Sequence, residues 1–110
     1  MREIKAIVRA DRLDHVIDAL HAIPELPGVT VSIVRGIGRR HNPAVPETAE
    51  FGEVSLAKLE TVVPDDMVPV VTEAIQRAAS TGRHGDGKIF VLPVDRAIHI
   101  RSGDQGAGVL

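Results

Sequence analysis

The chain contains no cysteine, tryptophan or tyrosine, and only two phenylalanines in 110 residues. Without cysteine there are no disulfides, no thiolate metal sites and no thiol nucleophile. With so few aromatics, a surface that stacks unpaired bases is a poor expectation. Net charge is small, −2 from 13 basic and 15 acidic residues, and the basic residues form no long run. The electrostatic footprint of a nucleic-acid binder is therefore missing. No apolar stretch approaches the ~18 residues of a membrane span. The start, Met1-Arg2-Glu3-Ile4-Lys5, is too charged for a secretory leader. These absences lead to the expectation of a cytoplasmic protein with no direct membrane insertion and no nucleic-acid partner.

What is present is aliphatic: hydrophobic residues make up 44% of the chain, enough for a packed core rather than disorder. The length fits a single domain over 1–110. Ile4, Ala6 and Val8 alternate within 3–9 and predict a strand. Asp11 is placed to cap a helix over 12–23, whose Leu13, Val16, Ile17 and Leu20 recur at helical spacing. Pro24 and Pro27-Gly28 end it. Alternating, mostly β-branched residues over 29–37 predict a second strand. From about 38 to 53 the chain is polar, holds Pro43 and Pro46, and shows no period. It reads as a long exposed loop, and such loops are usually functional. A third strand over 54–63 ends at Pro64. Asp65 or Asp66 would cap a helix over 66–80 that buries Met67, Val71, Ala74, Ile75 and Ala78. A polar loop over 81–87, a short strand at 89–92, an extended segment at 97–100 and a glycine-rich, mobile tail over 102–110 complete the chain.

The order β-α-β-β-α-β predicts an α+β, ferredoxin-like sandwich with both helices on one face of the sheet. The strands are apolar on alternate positions of both faces, as Val54, Leu56, Val62 and Val91 illustrate. A second apolar face calls for a cover, and the simplest is another copy of the chain.

Two loops carry the candidate chemistry. Gly82, Gly85, Gly87 and Lys88 can bring backbone N–H groups and a positive charge to a phosphate, although the spacing is not that of a Walker loop. Alone, the segment reads as readily as a glycine-rich turn. Gly36, Gly38, Arg39 and Arg40 form a second cationic, glycine-containing stretch, and Arg101 is a third cation. The histidines offer little. His15 and His21 lie roughly 120° apart around the predicted helix, so no metal site is expected, and His84 reads as an exposed loop residue. Neither a nucleophile motif nor a paired-carboxylate pattern stands out, so no catalytic residue and no enzyme are expected.

The string Thr81-Gly82-Arg83-His84-Gly85-Asp86-Gly87-Lys88-Ile89-Phe90-Val91 resembles the second signature of the PII signalling proteins, the nitrogen regulatory protein P-II family. Gly36-Ile37-Gly38-Arg39 is similar to the start of that family's long T-loop. Val62-Val63-Pro64-Asp65 and Ile98-His99-Ile100-Arg101-Ser102-Gly103 match in place, so the likeness covers nearly the whole chain. The resemblance implies a homotrimer with inward-facing sheets, an exposed T-loop, and ATP or ADP bound between subunits as an effector. It places Gly36, Gly38, Arg39, Thr81, Gly82 and Arg83, with Gly85, Asp86, Gly87 and Lys88, on one wall of that cleft. Thr30, Glu60, Val62, His99 and Arg101 would form the other wall. It further implies a regulator acting through its T-loop, here Arg40, His41, Glu47, Glu50 and Phe51, on a membrane transporter or a metabolic enzyme. A metal-binding trimer of related fold and a weak ATPase are the alternatives.

The chain also departs from the family pattern. There is no tyrosine to carry the family's uridylyl group. Arg40 stands where the nitrogen sensors have a glutamine that ligates the Mg²⁺ shared with 2-oxoglutarate, and a guanidinium has no acceptor for a metal. A role for Mg²⁺ therefore stays open. Leu56 stands in the place of the lysine that pairs with 2-oxoglutarate. His99 replaces a cleft arginine with a side chain whose charge depends on pH.

Overall fold

A computed structural model describes the backbone of residues 1–41 and 49–110 and the side chains of 1–38 and 54–110. The elements run β1 (Arg2–Arg9), α1 (Leu13–His21), β2 (Thr30–His41), β3 (Ala49–Val63), α2 (Val68–Ala79) and β4 (Gly87–Pro93). One-turn 3₁₀ helices precede α1 at Ala10–Arg12 and α2 at Asp65–Met67, and a third lies at Ala107–Val109. The sheet order is β2-β3-β1-β4, with every neighbouring pair antiparallel. Four antiparallel strands and two helices make an α+β fold consistent with the ferredoxin-like expectation.

The core follows from the period-two and helical patterns. Ile4, Ala6 and Val8 of β1 and Ala57, Leu59 and Val63 of β3 point to one face and are buried. There they meet Val16 and Leu20 of α1 and Val71, Ile75 and Ala79 of α2. Thr61 is the buried polar residue on this face, and its hydroxyl donates to the Gly28 carbonyl at 3.1 Å, so its burial leaves no orphan group.

The opposite face carries no helix. By register it presents Glu3, Lys5, Ile7 and Arg9 from β1, Leu56, Lys58, Glu60 and Val62 from β3, and Lys88, Phe90 and Leu92 from β4. Val54, Leu56 and Val62 fall on this open face. Val91 does not: it lies opposite Ile4, on the helix side. The open face is also less apolar than the sequence alone indicated, because Glu3, Lys5, Lys58 and Glu60 sit together in its middle.

Two expectations change. The loop over 38–53 is largely a hairpin: the ladder continues through Gly38↔Gly52 and Arg40↔Glu50 to His41↔Ala49. Backbone pairing needs no side-chain alternation, so a period-based reading ended too early. Neither Asp11 nor Asp65 caps its helix. The Asp11 carboxylate accepts from the Arg9 guanidinium at 3.2 and 3.3 Å, and Asp65 accepts from the Met1 ammonium at 2.9 Å. A charged donor within reach outcompetes a neutral amide. The segment after β4 is tied back on itself. Ile98 bridges Gln105, the His99 amide donates to the Asp104 carbonyl at 2.8 Å, and the Gly103 amide returns to the His99 carbonyl at 2.7 Å.

Among the described residues, no helix is long and apolar enough to cross a membrane.

Candidate functional site

The segment between α2 and β4 is built around one side-chain clamp. Helix α2 stops because Ser80 turns extended, at φ −70° and ψ 130°. The chain then reverses through Gly82 and Gly85, both left-handed at φ 76° and 92°. The Asp86 carboxylate reaches back over this reversal, accepting the Thr81 amide at 2.7 Å and the Thr81 hydroxyl. These bonds from Thr81, with a further pull from the Arg83 and Gly82 amides, hold the Asp86 carboxyl below its usual range.

Gly87 follows at φ 106°, and the first pair of the β4 ladder joins it to Val8. An added Cβ there would stand 1.8 Å from the Ile7 carbonyl oxygen. Lys88 comes next, exposed on the open face beside Ile7. Under the loop lies a cleft of ≈ 330 Å³ lined by Val8, Gln76, Ala79, Ser80, Asp86, Gly87, Lys88 and Ile89.

Arg9, at the end of β1, is a cation that the sequence reading passed over. Its hydrogen bonds and attraction to Asp11 raise its pKa, with a smaller contribution from Asp86. That places the guanidinium within electrostatic reach of the glycine loop. Its strand pattern concealed it, since it reads simply as the last outward position of β1.

The other expected wall assembles on a different part of the sheet. Thr30 of β2 pairs directly with Glu60 of β3, and Val62 lies two residues along on the same face. Hydrogen bonding with Glu3, then the attraction of Lys58 at 3.5 Å and of Lys5, lowers the Glu60 carboxyl below its ordinary value. Thr30 and Lys88 are on opposite edge strands, with β3 and β1 between them. Three interstrand spacings separate them by about 14 Å. The structure thus brings Thr81, Gly82, Arg83, Gly85, Asp86, Gly87 and Lys88 together, and Thr30, Glu60 and Val62 together, but holds the two groups apart.

Gly36 and Gly38 are ordinary strand residues of β2 rather than an unusual backbone path. The Leu56 side chain lies over Gly36, its Cδ1 2.5 Å from where a Cβ would stand. Arg39 pairs with Phe51, Arg40 with Glu50 and His41 with Ala49; Glu47 lies outside the described residues. His99 and Arg101 are exposed in the turn after β4, beside a fully exposed Ile100. His15 and His21 are exposed on α1, and among the described residues no three His, Asp or Glu side chains converge as a metal cluster would require.

A small antiparallel α+β domain with a glycine loop and a lysine at one sheet edge is the class that fold and loop define. The profile of the family described as Nitrogen regulatory protein P-II matches residues 1–104. The chain is 41% identical to the nitrogen regulatory protein P-II of Azospirillum brasilense and 42% identical to that of Rhodospirillum rubrum, each over the full length of both proteins. It is 42% identical to the nitrogen regulatory protein P-II 1 of Escherichia coli K12 over 96% of both. The chain belongs to the nitrogen regulatory protein P-II family, whose members are signal-transduction regulators.

Proposed function

We propose that this protein is a cytoplasmic, non-enzymatic regulator that binds ADP or ATP between copies of itself and acts on a partner through the β2–β3 hairpin. The observation that carries this reading is the separation of the two walls. A nucleotide seated in the glycine loop at the β4 edge meets Thr30 and Glu60 most readily on a second copy, where it need not stretch about 14 Å across the charged middle of its own sheet. Such a contact joins two different surfaces, so it repeats head to tail and closes a ring. Three copies, as the resemblance implies, would also cover the open sheet face.

The loop chemistry fits the phosphates. Left-handed glycines expose backbone N–H groups, and Lys88 has no ion-pair partner among the described residues. Arg9 adds positive potential, offset in part by Asp11. The hairpin carrying Arg40, His41, Glu47, Glu50 and Phe51 is the surface for a transporter or a metabolic enzyme. Mg²⁺ would arrive with ATP rather than reside in the protein.

Titration with ADP tests the site. Lys88→Ala removes a charge-assisted phosphate contact, which should cost about 1.5–3 kcal/mol, roughly ten- to hundredfold in affinity. An unchanged dissociation constant removes Lys88 from the site. Adding millimolar 2-oxoglutarate to Mg·ATP should leave ATP affinity unaltered, because Leu56 places a methyl group, not a cation, over Gly36. By linkage, any tightening of ATP would show that the protein senses this acid.

A further inference from the structure

We infer that the Asp86 and Thr81 side chains form an internal brace that shapes the glycine loop and take no direct part in holding the phosphate. This deepens, and rests on, the nucleotide reading above. The Asp86 carboxylate accepts both donors of Thr81, the amide at 2.7 Å and the hydroxyl. The Gly82 and Arg83 amides also bear on it. An internal anion thus occupies both donors of Thr81 at the start of the loop. A phosphate arriving at Thr81 would find those donors engaged and a negative charge beside them. Past Asp86, Gly87 pairs with Val8 of β1 and lies too close to the Ile7 carbonyl to carry any side chain. The donors left to an anion are backbone amides beyond Thr81 and the Lys88 ammonium.

Held by Thr81, the carboxylate also fixes where Gly87 enters β4. Binding then requires no ordering of the loop, which is the general source of affinity from preorganisation. Asp86 and Thr81 are therefore positioning residues.

The sign of the Asp86 effect distinguishes this from a simple charge near a phosphate. If Asp86 only repelled the ligand, removing its charge by either Asp86→Ala or Asp86→Asn would tighten ADP. If it braces the loop, the two substitutions diverge. An asparagine keeps both contacts: its carbonyl accepts the Thr81 amide and its NH₂ donates to the Thr81 hydroxyl oxygen. An alanine keeps neither.

The experiment is titration of the full chain with ADP in EDTA, which removes metal ligation as an explanation. It is paired with NMR amide exchange at Thr81 in the ligand-free protein. The expected result is that Asp86→Asn binds as well as or better than the parent, while Asp86→Ala binds at least about tenfold more weakly. Thr81→Ser should bind like the parent, and Thr81→Val should fall between. The Thr81 amide should be protected in the parent and in Asp86→Asn and exchange freely in Asp86→Ala. Equal or tighter binding by Asp86→Ala, or equal loss in Asp86→Asn and Asp86→Ala, overturns the proposal. So does a Thr81 amide that exchanges as fast in the parent as in Asp86→Ala. Failure of the parent itself to bind ADP overturns the nucleotide reading instead, and the brace then stands or falls on the exchange data.

Discussion

Gly87 is the residue at which sequence, backbone and site meet most tightly. Its φ of 106° excludes an L side chain on strain alone, at about 1–3 kcal/mol. Here a Cβ would also collide with main chain, the Ile7 carbonyl at 1.8 Å. Gly87→Ala must therefore break the first rungs of the β1–β4 ladder. Urea unfolding should show a loss of about 3 kcal/mol or more, or no folded protein. Gly36→Ala meets only the far end of Leu56, a flexible side chain, and should cost under about 1.5 kcal/mol by repacking. The carboxylates set a pH dependence at the same scale. Asp11, Asp65 and Asp86 all have lowered values, caused first by hydrogen bonds from Arg9, the Met1 ammonium and Thr81 respectively. A carboxyl depressed in the folded state adds stability that is present above the unfolded value, about 3.9. That stability is lost as pH falls through the lower folded values. The melting temperature should hold level from pH 7 to about 5 and decline below about 4. Asp11→Asn should flatten part of that decline.

At the scale of elements, the helices rely on long-range rather than local caps. Helix α2 ends without a side chain of its own over its last carbonyls. Arg12, before α1, supplies the missing donors: its Nε and Nη2 reach the Ala78 carbonyl at 3.0 and 2.7 Å. The contact joins the start of one helix to the end of the other, and it sits just before the Thr81–Asp86 loop. Arg12→Ala should cost about 1.5–3 kcal/mol, measured by chemical denaturation, and should accelerate amide exchange in the last turn of α2. Arg12→Lys should recover part of that loss, since an ammonium can reach one carbonyl but lacks the fork. The β2–β3 hairpin is the other notable element. β3 spans 15 residues, and its ladder with β2 runs past the end of β1, which stops at Arg9↔Leu56. The distal part of the hairpin is therefore unsupported by the rest of the sheet, a geometry suited to meeting a partner.

For the whole molecule, the unfinished feature is the sheet. Phe90 is 46% exposed and Val54 40% on the open face, while Val31 and Ile33 are exposed at the β2 edge. Lysine and glutamate interleave with this apolar surface, which suits a contact between copies that is specific in register rather than a greasy patch. Light scattering at micromolar concentration should give about three times the 11.8 kDa of one chain. A monomer at that concentration would remove the cleft between subunits and the nucleotide site with it.

The sequence by itself determined the element order, most of the core and the position of the glycine loop, although α2 buries Ala79 where Ala74 and Ala78 were expected. Each rests on local information: alternation at Ile4, Ala6 and Val8, helical spacing at Val16 and Leu20, and Gly82, Gly85 and Gly87 where the backbone turns left-handed. Family membership was legible for the same reason, because the Thr81–Val91 string is contiguous. Other features depend on groups distant in sequence, and only the tertiary structure decided them. Arg12 finds Ala78 across 66 residues, and Asp65 finds the Met1 ammonium across 64. Hydrophobic period does not encode either pairing. The extent of the hairpin was hidden because main-chain pairing of Gly38 with Gly52 leaves no side-chain signature. Arg9 was hidden because its electrostatic reach toward Asp86 comes from the fold and not from sequence spacing. The separation of Thr30 from Lys88 was hidden too, since strand order, not strand content, puts them on opposite edges.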